Sequence, residues 1–272
     1  MRIEPLAGCG ALIDDVDLTA ANDGEIAAVR QAVFDHGVVF LHGQKLGPEA
    51  HIAFAKRVGP IVINRYFPRT ERFPEIAKVE KTETQTTNIG GGWHTDHSYD
   101  AEPAMGSILV AMETPPAGGD TLFANMYAAY EALSDGLKAT LGTLRAVHSA
   151  AHVFGAKSAY GAGDQKALSG HSDLPESVHP VIITHPGSGR KALYVNPSFT
   201  LRFEGWTAEE SKPLLDYLYA HAQRPDFVHR FSWKPGSVAF WDNRATWHLA
   251  MNDYHGHRRL MHRITIAGEA LS

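Results

Sequence analysis

The second half of this 272-residue chain is broken into short apolar stretches closed by turn residues, and that pattern limits its fold more than any other feature. Residues 178–184 and 191–195 flank His-Pro-Gly-Ser-Gly-Arg and read as a hairpin. Residues 227–233 read as a strand stopped by Lys234-Pro235-Gly236, residues 237–241 as the next and residues 259–266 as the last. Residues 38–41, 105–112 and 120–124 read the same way in the first half. Helices are inserted before and between them. Residues 25–36 carry Ile26, Val29 and Val33 on one face, with Gly37 as a stop. Residues 48–58 open with Pro48 and close at Gly59. Residues 127–145 carry a stripe from Tyr127 through Leu133 and Leu141 to Leu144, read as core packing. Thr207-Ala-Glu-Glu210 is a capping box opening a helix that runs to about Ala222. Strand–helix alternation is absent, and no phosphate-binding glycine loop occurs, which disfavours a doubly wound parallel sheet. The expected fold is α+β: a jelly-roll barrel with flanking helices, one domain over residues 1–272.

A net charge of −5 without a basic stripe argues against nucleic acid as a partner. No run reaches the roughly 18 apolar residues of a membrane span, and acid and proline stand where a signal peptide needs an apolar core. Cys9 is the single cysteine and has no internal partner for a disulfide. A cytoplasmic protein, away from membranes and assembled as a homo-oligomer, is the expectation.

The stretch Gly90-Gly-Gly-Trp-His94-Thr-Asp96 carries the first chemistry. If it is extended, His94 and Asp96 point to one side, roughly 6–7 Å apart, and can reach one cation. Two neutral nitrogens and one carboxylate with open positions make the ligand set of a non-haem Fe(II) oxygenase. With 16 His and 15 Asp, about one His-x-Asp pair is expected by chance. A second pair does occur, His171-Ser-Asp173, inside the Gly-rich residues 155–177, which read as a loop and a candidate lid. His94 leads instead into a strongly apolar run, and a rigid element makes the better site.

The other half of the site lies far along the chain. Trp241-Asp-Asn-Arg-Ala-Thr-Trp-His248 ends a strand, turns and delivers a histidine. In residues 259–266 the even positions Leu260, His262, Ile264 and Ile266 read as the core face. The odd face presents Arg259 and Arg263, about 13 Å apart. Guanidinium forks bind carboxylates in bidentate fashion, and two at that separation suit two different anions.

Four motifs together, His94-Thr-Asp96, Gly118-Gly-Asp-Thr121, Trp241 to His248 and Arg258-Arg-Leu-Met-His-Arg263, resemble the taurine dioxygenase family, which includes the 2,4-dichlorophenoxyacetate dioxygenases. His179-Pro-Val, Thr184-His-Pro and Tyr194-Val-Asn extend the likeness over nearly the whole chain. The resemblance implies a double-stranded β-helix that binds Fe(II), with 2-oxoglutarate as cosubstrate and O2 as oxidant. It makes His94, Asp96 and His248 the iron ligands. Thr121 and Arg259 then hold the distal carboxylate of 2-oxoglutarate, and Arg263 lies where the family binds an anionic substrate. The implied reaction is oxidative decarboxylation to succinate and CO2, coupled to hydroxylation of a substrate C–H bond.

Three positions depart from the pattern of taurine enzymes: Asn64 stands for a His, Phe67 for a Tyr and Gly90 for an Asn. Those side chains contact taurine, and a site lacking partners for polar substrate groups rejects them. The three are therefore read as substrate contacts for a larger, more apolar anion: an aryloxyalkanoate-like carboxylate, a sulfonate or a sulfate ester. The alternatives are a taurine dioxygenase proper and, more remotely, a zinc hydrolase or a cupin-like binding protein.

Overall fold

The computed structural model describes residues 1–155, 168–172, 174 and 176–272. In chain order the strands and helices are β1 (Arg2–Pro5), β2 (Ala11–Asp14), α1 (Asp23–His36), β3 (Val38–Leu41), α2 (Pro48–Val58), β4 (Ile61–Val62), β5 (Ala77–Lys81), β6 (Gly106–Glu113), β7 (Thr121–Asn125), α3 (Met126–Glu131), α4 (Asp135–Leu141), β8 (Arg145–Ser149) and α5 (Ala151–Phe154). They continue with β9 (Glu176–Pro180), β10 (Ile182–Thr184), β11 (Lys191–Leu193), β12 (Thr200–Phe203), α6 (Ala208–Ala222), β13 (Val228–Phe231), β14 (Val238–Asp242), β15 (Thr246–Ala250) and β16 (Arg259–Ile266).

This is a sheet-rich α+β fold. The large sheet runs β1-β2-β3-β14-β6-β16-β4, with β5 also pairing on β16. Within this sheet, among the described residues, only β2 and β3 pair in parallel. Its central strands β3, β14 and β6 are buried on both faces over most of their length, so they read as continuous apolar runs rather than alternating ones. On one face Val39, Leu41, Ile108, Val110, Phe240 and Ile264 pack beneath α1 and α2. On the other, Val38, Phe40, Leu109, Ala239 and Met261 meet Phe123 of β7 and Phe231 of β13. Those two belong to a smaller sheet, β13-β7-β15. The inner faces of both sheets therefore share one apolar layer, and the candidate site opens beside it. Both faces of β16 are covered. Met261 is fully buried on the odd side, so the even side is not the sole core face.

The capping boxes at Asn22/Glu25 and Thr207/Glu210 start α1 and α6. The helix expected over 127–145 is instead two short helices and a strand. Ser134 caps a new helix by accepting from Leu137 N–H, and Arg145–Ser149 goes on to pair with β9 and β12. The strand expected over 178–184 divides at Pro180, which has no N–H to donate. Residues up to Pro180 pair with β8, and only Ile182–Thr184 forms the hairpin with β11. Among the described residues no helix is long and apolar enough to cross a membrane.

Candidate active site

β15 places His248. Along this strand Thr246, His248 and Ala250 alternate with Trp247, which packs on the opposite side in an apolar cluster with α3 and α6. His94 is not on a strand, contrary to the extended reading. It forms a single antiparallel bridge to His248, with Nα of His94 donating to the His248 carbonyl at 3.1 Å and the reverse bond at 2.8 Å. The chain then turns at once, and His97 takes a positive φ of 62°. Rigidity comes from cross-links instead. Thr95 Oγ1 donates to the Asn243 carbonyl in the β14–β15 turn. Ser107 Oγ donates to Asp96 Oδ2 at 3.4 Å.

The bridge sets the two imidazoles 4.1 Å apart, centroid to centroid. His94 Nδ1 lies 2.8 Å from the Gly92 carbonyl and so carries the proton, which leaves Nε2 with a free lone pair. That Nε2 is 3.7 Å from Asp96 Oδ1, and His248 Nε2 is 3.8 Å from Asp96 Oδ2. One ligating atom from each of the three lies within 4.8 Å of the others. Burial drives the pKa of both histidines below the usual imidazole value, and for His248 the neighbouring His94 adds to the effect. Burial alone would raise the Asp96 carboxyl, but Arg263 and the histidines outweigh it and hold the group below the usual carboxylate range. With both imidazoles neutral at pH 7, Arg263 is the standing cation. Two neutral nitrogens and an ionised carboxylate converging on one point are the donor set a divalent iron takes.

Thr121 and Arg259 meet at the same cavity. Gly118 and Gly119 both have positive φ, and Asp253 Oδ1 accepts from Gly119 N–H at 2.7 Å, which fixes the turn that delivers Thr121. Thr121 Oγ1 accepts from Trp233 Nε1 at 2.9 Å and lies 3.5 Å from an Arg259 terminal nitrogen. Arg259 is only 5% exposed, and among the described residues its Nε has no hydrogen-bond partner and no carboxylate pairs with it. A buried guanidinium without an anion is costly to fold. A ligand carboxylate would satisfy it.

The cavity is about 850 Å³, counting its open mouth, and is lined by all six of these residues together with Phe67 and Gly90. Arg263 sits 5.2 Å above the Phe67 ring. A Cβ on Gly90 would stand 3.2 Å from His94 Cε1, so this glycine keeps the metal-facing edge of that ring clear. Asn64 is placed differently from the expectation. It does not line the cavity, and its Oδ1 accepts from the N–H groups of Tyr66 and Phe67, shaping the turn that presents Phe67. The sequence reading missed the aromatic wall of Tyr99, Phe154 and Phe199, which comes from three distant segments. His171 stands apart from the metal cluster, its ring edge-on to Tyr66 at 4.9 Å. Its partner Asp173 and most of the expected lid lie outside the described residues.

The sequence profile of the taurine catabolism dioxygenase TauD, TfdA family matches residues 2–265. The chain belongs to that family. Relatives of this TauD/TfdA member include an alpha-ketoglutarate-dependent sulfate ester dioxygenase of Pseudomonas putida, 34% identical over 99% of this chain and 90% of the relative. An alpha-ketoglutarate-dependent 2,4-dichlorophenoxyacetate dioxygenase of Burkholderia sp. is 33% identical over 94% of this chain and 90% of its own length. The crystal structure of a taurine dioxygenase from Burkholderia xenovorans matches with a TM-score of 0.83 at 35% identity, covering 99% of this chain and 92% of that one. This TauD/TfdA member is a 2-oxoglutarate-dependent dioxygenase that uses Fe(II) and O2. The zinc hydrolase and binding-protein readings give way to an oxidoreductase.

Proposed function

We propose that this enzyme hydroxylates a small organic anion with a bulky apolar body, and that Arg263 holds the anion. Arg263 itself carries the proposal. Its guanidinium is 6% exposed inside the cavity, and its one acidic partner among the described residues is Asp96, at 3.3 Å. Asp96 is also the carboxylate of the metal cluster. Once a divalent ion takes up that charge, Arg263 is left facing the cavity with an unmet positive charge.

The other assignments complete the reading. His94, Asp96 and His248 hold Fe(II), and Thr121 and Arg259 hold the far carboxylate of 2-oxoglutarate. Iron with 2-oxoglutarate and O2 supplies the oxidation that places oxygen on a C–H bond. The chain's own task is to orient and to exclude water. Arg263 fixes one end of the substrate, and Phe67, Tyr99, Phe154 and Phe199 pack its body. That aromatic wall and the absence of a side chain at Gly90 suit a sulfate ester, an aryloxyalkanoate or a larger sulfonate better than taurine. The named relatives act on a sulfate ester and on 2,4-dichlorophenoxyacetate, anions of this kind. In this reading the two sheets are the halves of a double-stranded β-helix, a jelly roll, and residues 1–272 make one catalytic domain. The His94–His248 bridge, which adds a fourth segment to β13-β7-β15, supports that topology.

The test is a panel of sulfates, sulfonates, carboxylates and matched neutral compounds, read by succinate formation and oxygen uptake. Turnover should rise with apolar bulk among anions, and the neutral compounds should be poor substrates. Best turnover on a neutral compound would overturn the proposal.

A further inference from the structure

Arg259 lines the cavity, and the buried cation paired with it on the neighbouring strand, outside the cavity lining, lacks an anion among the described residues too. Lys81 stands directly opposite Arg259 in the β5–β16 ladder. Residues paired across an antiparallel ladder project from the same face of the sheet, with Cβ atoms roughly 5 Å apart. Val79, two residues earlier on that face, lines the cavity. Lys81 is 2% exposed, and among the described residues its Nζ has no hydrogen-bond partner. Nζ lies 4.6 Å from the centroid of the Tyr254 ring. Tyr254 also flanks Arg259: a Cβ on Gly119 would meet Tyr254 Cδ1 at 3.3 Å and Arg259 Cδ at 3.4 Å.

The nearby acids are already committed. Asp120 pairs with Arg230, and Asp253 accepts from Gly119 N–H and also faces Arg230. A buried ammonium is costly without a counter-charge, and an aromatic face recovers only part of that cost. Two such cations on neighbouring strands, with no acid between them, point to one shared anion supplied from outside the chain.

We propose that Lys81 is the second cation for the carboxylate that docks on Arg259, so that the distal carboxylate of 2-oxoglutarate is held between an ammonium and a guanidinium. This rests on the assignment of Arg259 and Thr121 to 2-oxoglutarate made above. The two cations do different work. Arginine's planar fork fixes the orientation of the carboxylate, while lysine adds a point charge that is insensitive to angle. The pair discriminates a dicarboxylic 2-oxo acid from a monocarboxylic one of the same length.

The test compares 2-oxoglutarate with 2-oxopentanoate, which has a methyl in place of the distal carboxylate. Binding of each to anaerobic Fe(II)-loaded protein is measured by calorimetry for the parent, Lys81→Met and Arg259→Gln. Lys81→Met should weaken 2-oxoglutarate about 10- to 100-fold and leave 2-oxopentanoate unchanged. The ligand-free variant should melt no lower than the parent, because an unpaired buried charge has been removed. Lys81→Gln gives the same comparison should the methionine variant fail to fold. If Arg259→Gln weakens 2-oxoglutarate and neither Lys81 variant does, Lys81 has no part in the site. Equal weakening of both acids by a Lys81 variant would mean a packing role and also overturn the proposal. If Arg259→Gln has no effect either, the cosubstrate assignment itself is wrong.

Discussion

The Arg263 guanidinium stands 3.3 Å from Asp96 Oδ1, inside hydrogen-bond range of a carboxylate that also approaches His94 and His248. Without a metal, Asp96 is the counter-ion of Arg263, and that pairing keeps the carboxylate ionised and ready to ligate. Asp96→Asn removes a ligand and an anion together. It should lose iron and turnover while leaving a folded protein, as measured by metal content and circular dichroism. Iron bound at the parent stoichiometry would contradict this role.

The ligand set separates from its sequence look-alike. His94→Ala or His248→Ala should abolish turnover and iron retention, because each removes one of the three donors that converge among the described residues. His171→Ala should keep both, since His171 packs on Tyr66 away from the cluster. Loss of iron from His171→Ala, with retention by His94→Ala, would mean that the wrong pair had been chosen.

Arg259→Lys should raise the 2-oxoglutarate concentration needed for half-maximal rate while leaving the rate at saturation close to the parent's. A compact ammonium cannot reproduce the fork that reaches toward Thr121. An unchanged requirement for 2-oxoglutarate would sink the assignment.

Acid should destabilise the fold through two histidines outside the site. Burial pushes the pKa of His51 and His148 down to about 3, whereas an unfolded chain protonates histidine near 6.5. Between those values the unfolded state binds more protons, so stability falls as pH drops below about 6.5. At pH 5 each residue costs about 2 kcal/mol relative to neutral pH. His51→Leu removes the titrating group from a buried site. The drop in Tm from pH 7 to pH 5 should shrink in that variant, and an unchanged drop would refute the role of His51.

What was legible in the sequence follows from how local each signal is. β16 matches its expected span, 259–266, because alternation and turn residues bound it on both sides. α1 was legible from its apolar face and its glycine stop, and α2 from Pro48 and Gly59 at its ends. The helix over 127–145 misled because its apolar stripe continues in register across Ser134, where a side-chain cap restarts the helix. His94-x-Asp96 was legible as a ligand pair but not in its conformation, since the element that holds it is β15, some 150 residues away in sequence. Asn64 looked like a pocket residue because taurine enzymes carry a substrate-contacting His at its position, whereas its amide serves the turn that leads to Phe67. The aromatic wall and Lys81 left no motif. The wall forms only when α5, the segment before β12 and the turn after His94 converge, and Lys81 stands beside Arg259 only through the β5–β16 pairing.

The central claim is that Arg263 anchors an anionic substrate, and the most direct measurement is kcat/KM of parent and Arg263→Ala on the best anion from the panel, with 2-oxoglutarate binding measured alongside. A charge-assisted contact in a closed site is worth roughly 2–4 kcal/mol, so kcat/KM should fall about 30- to 1000-fold. Affinity for 2-oxoglutarate should stay near the parent's, and more 2-oxoglutarate should be consumed per product formed. An Arg263→Ala enzyme that hydroxylates the anion as well as the parent does would contradict the account.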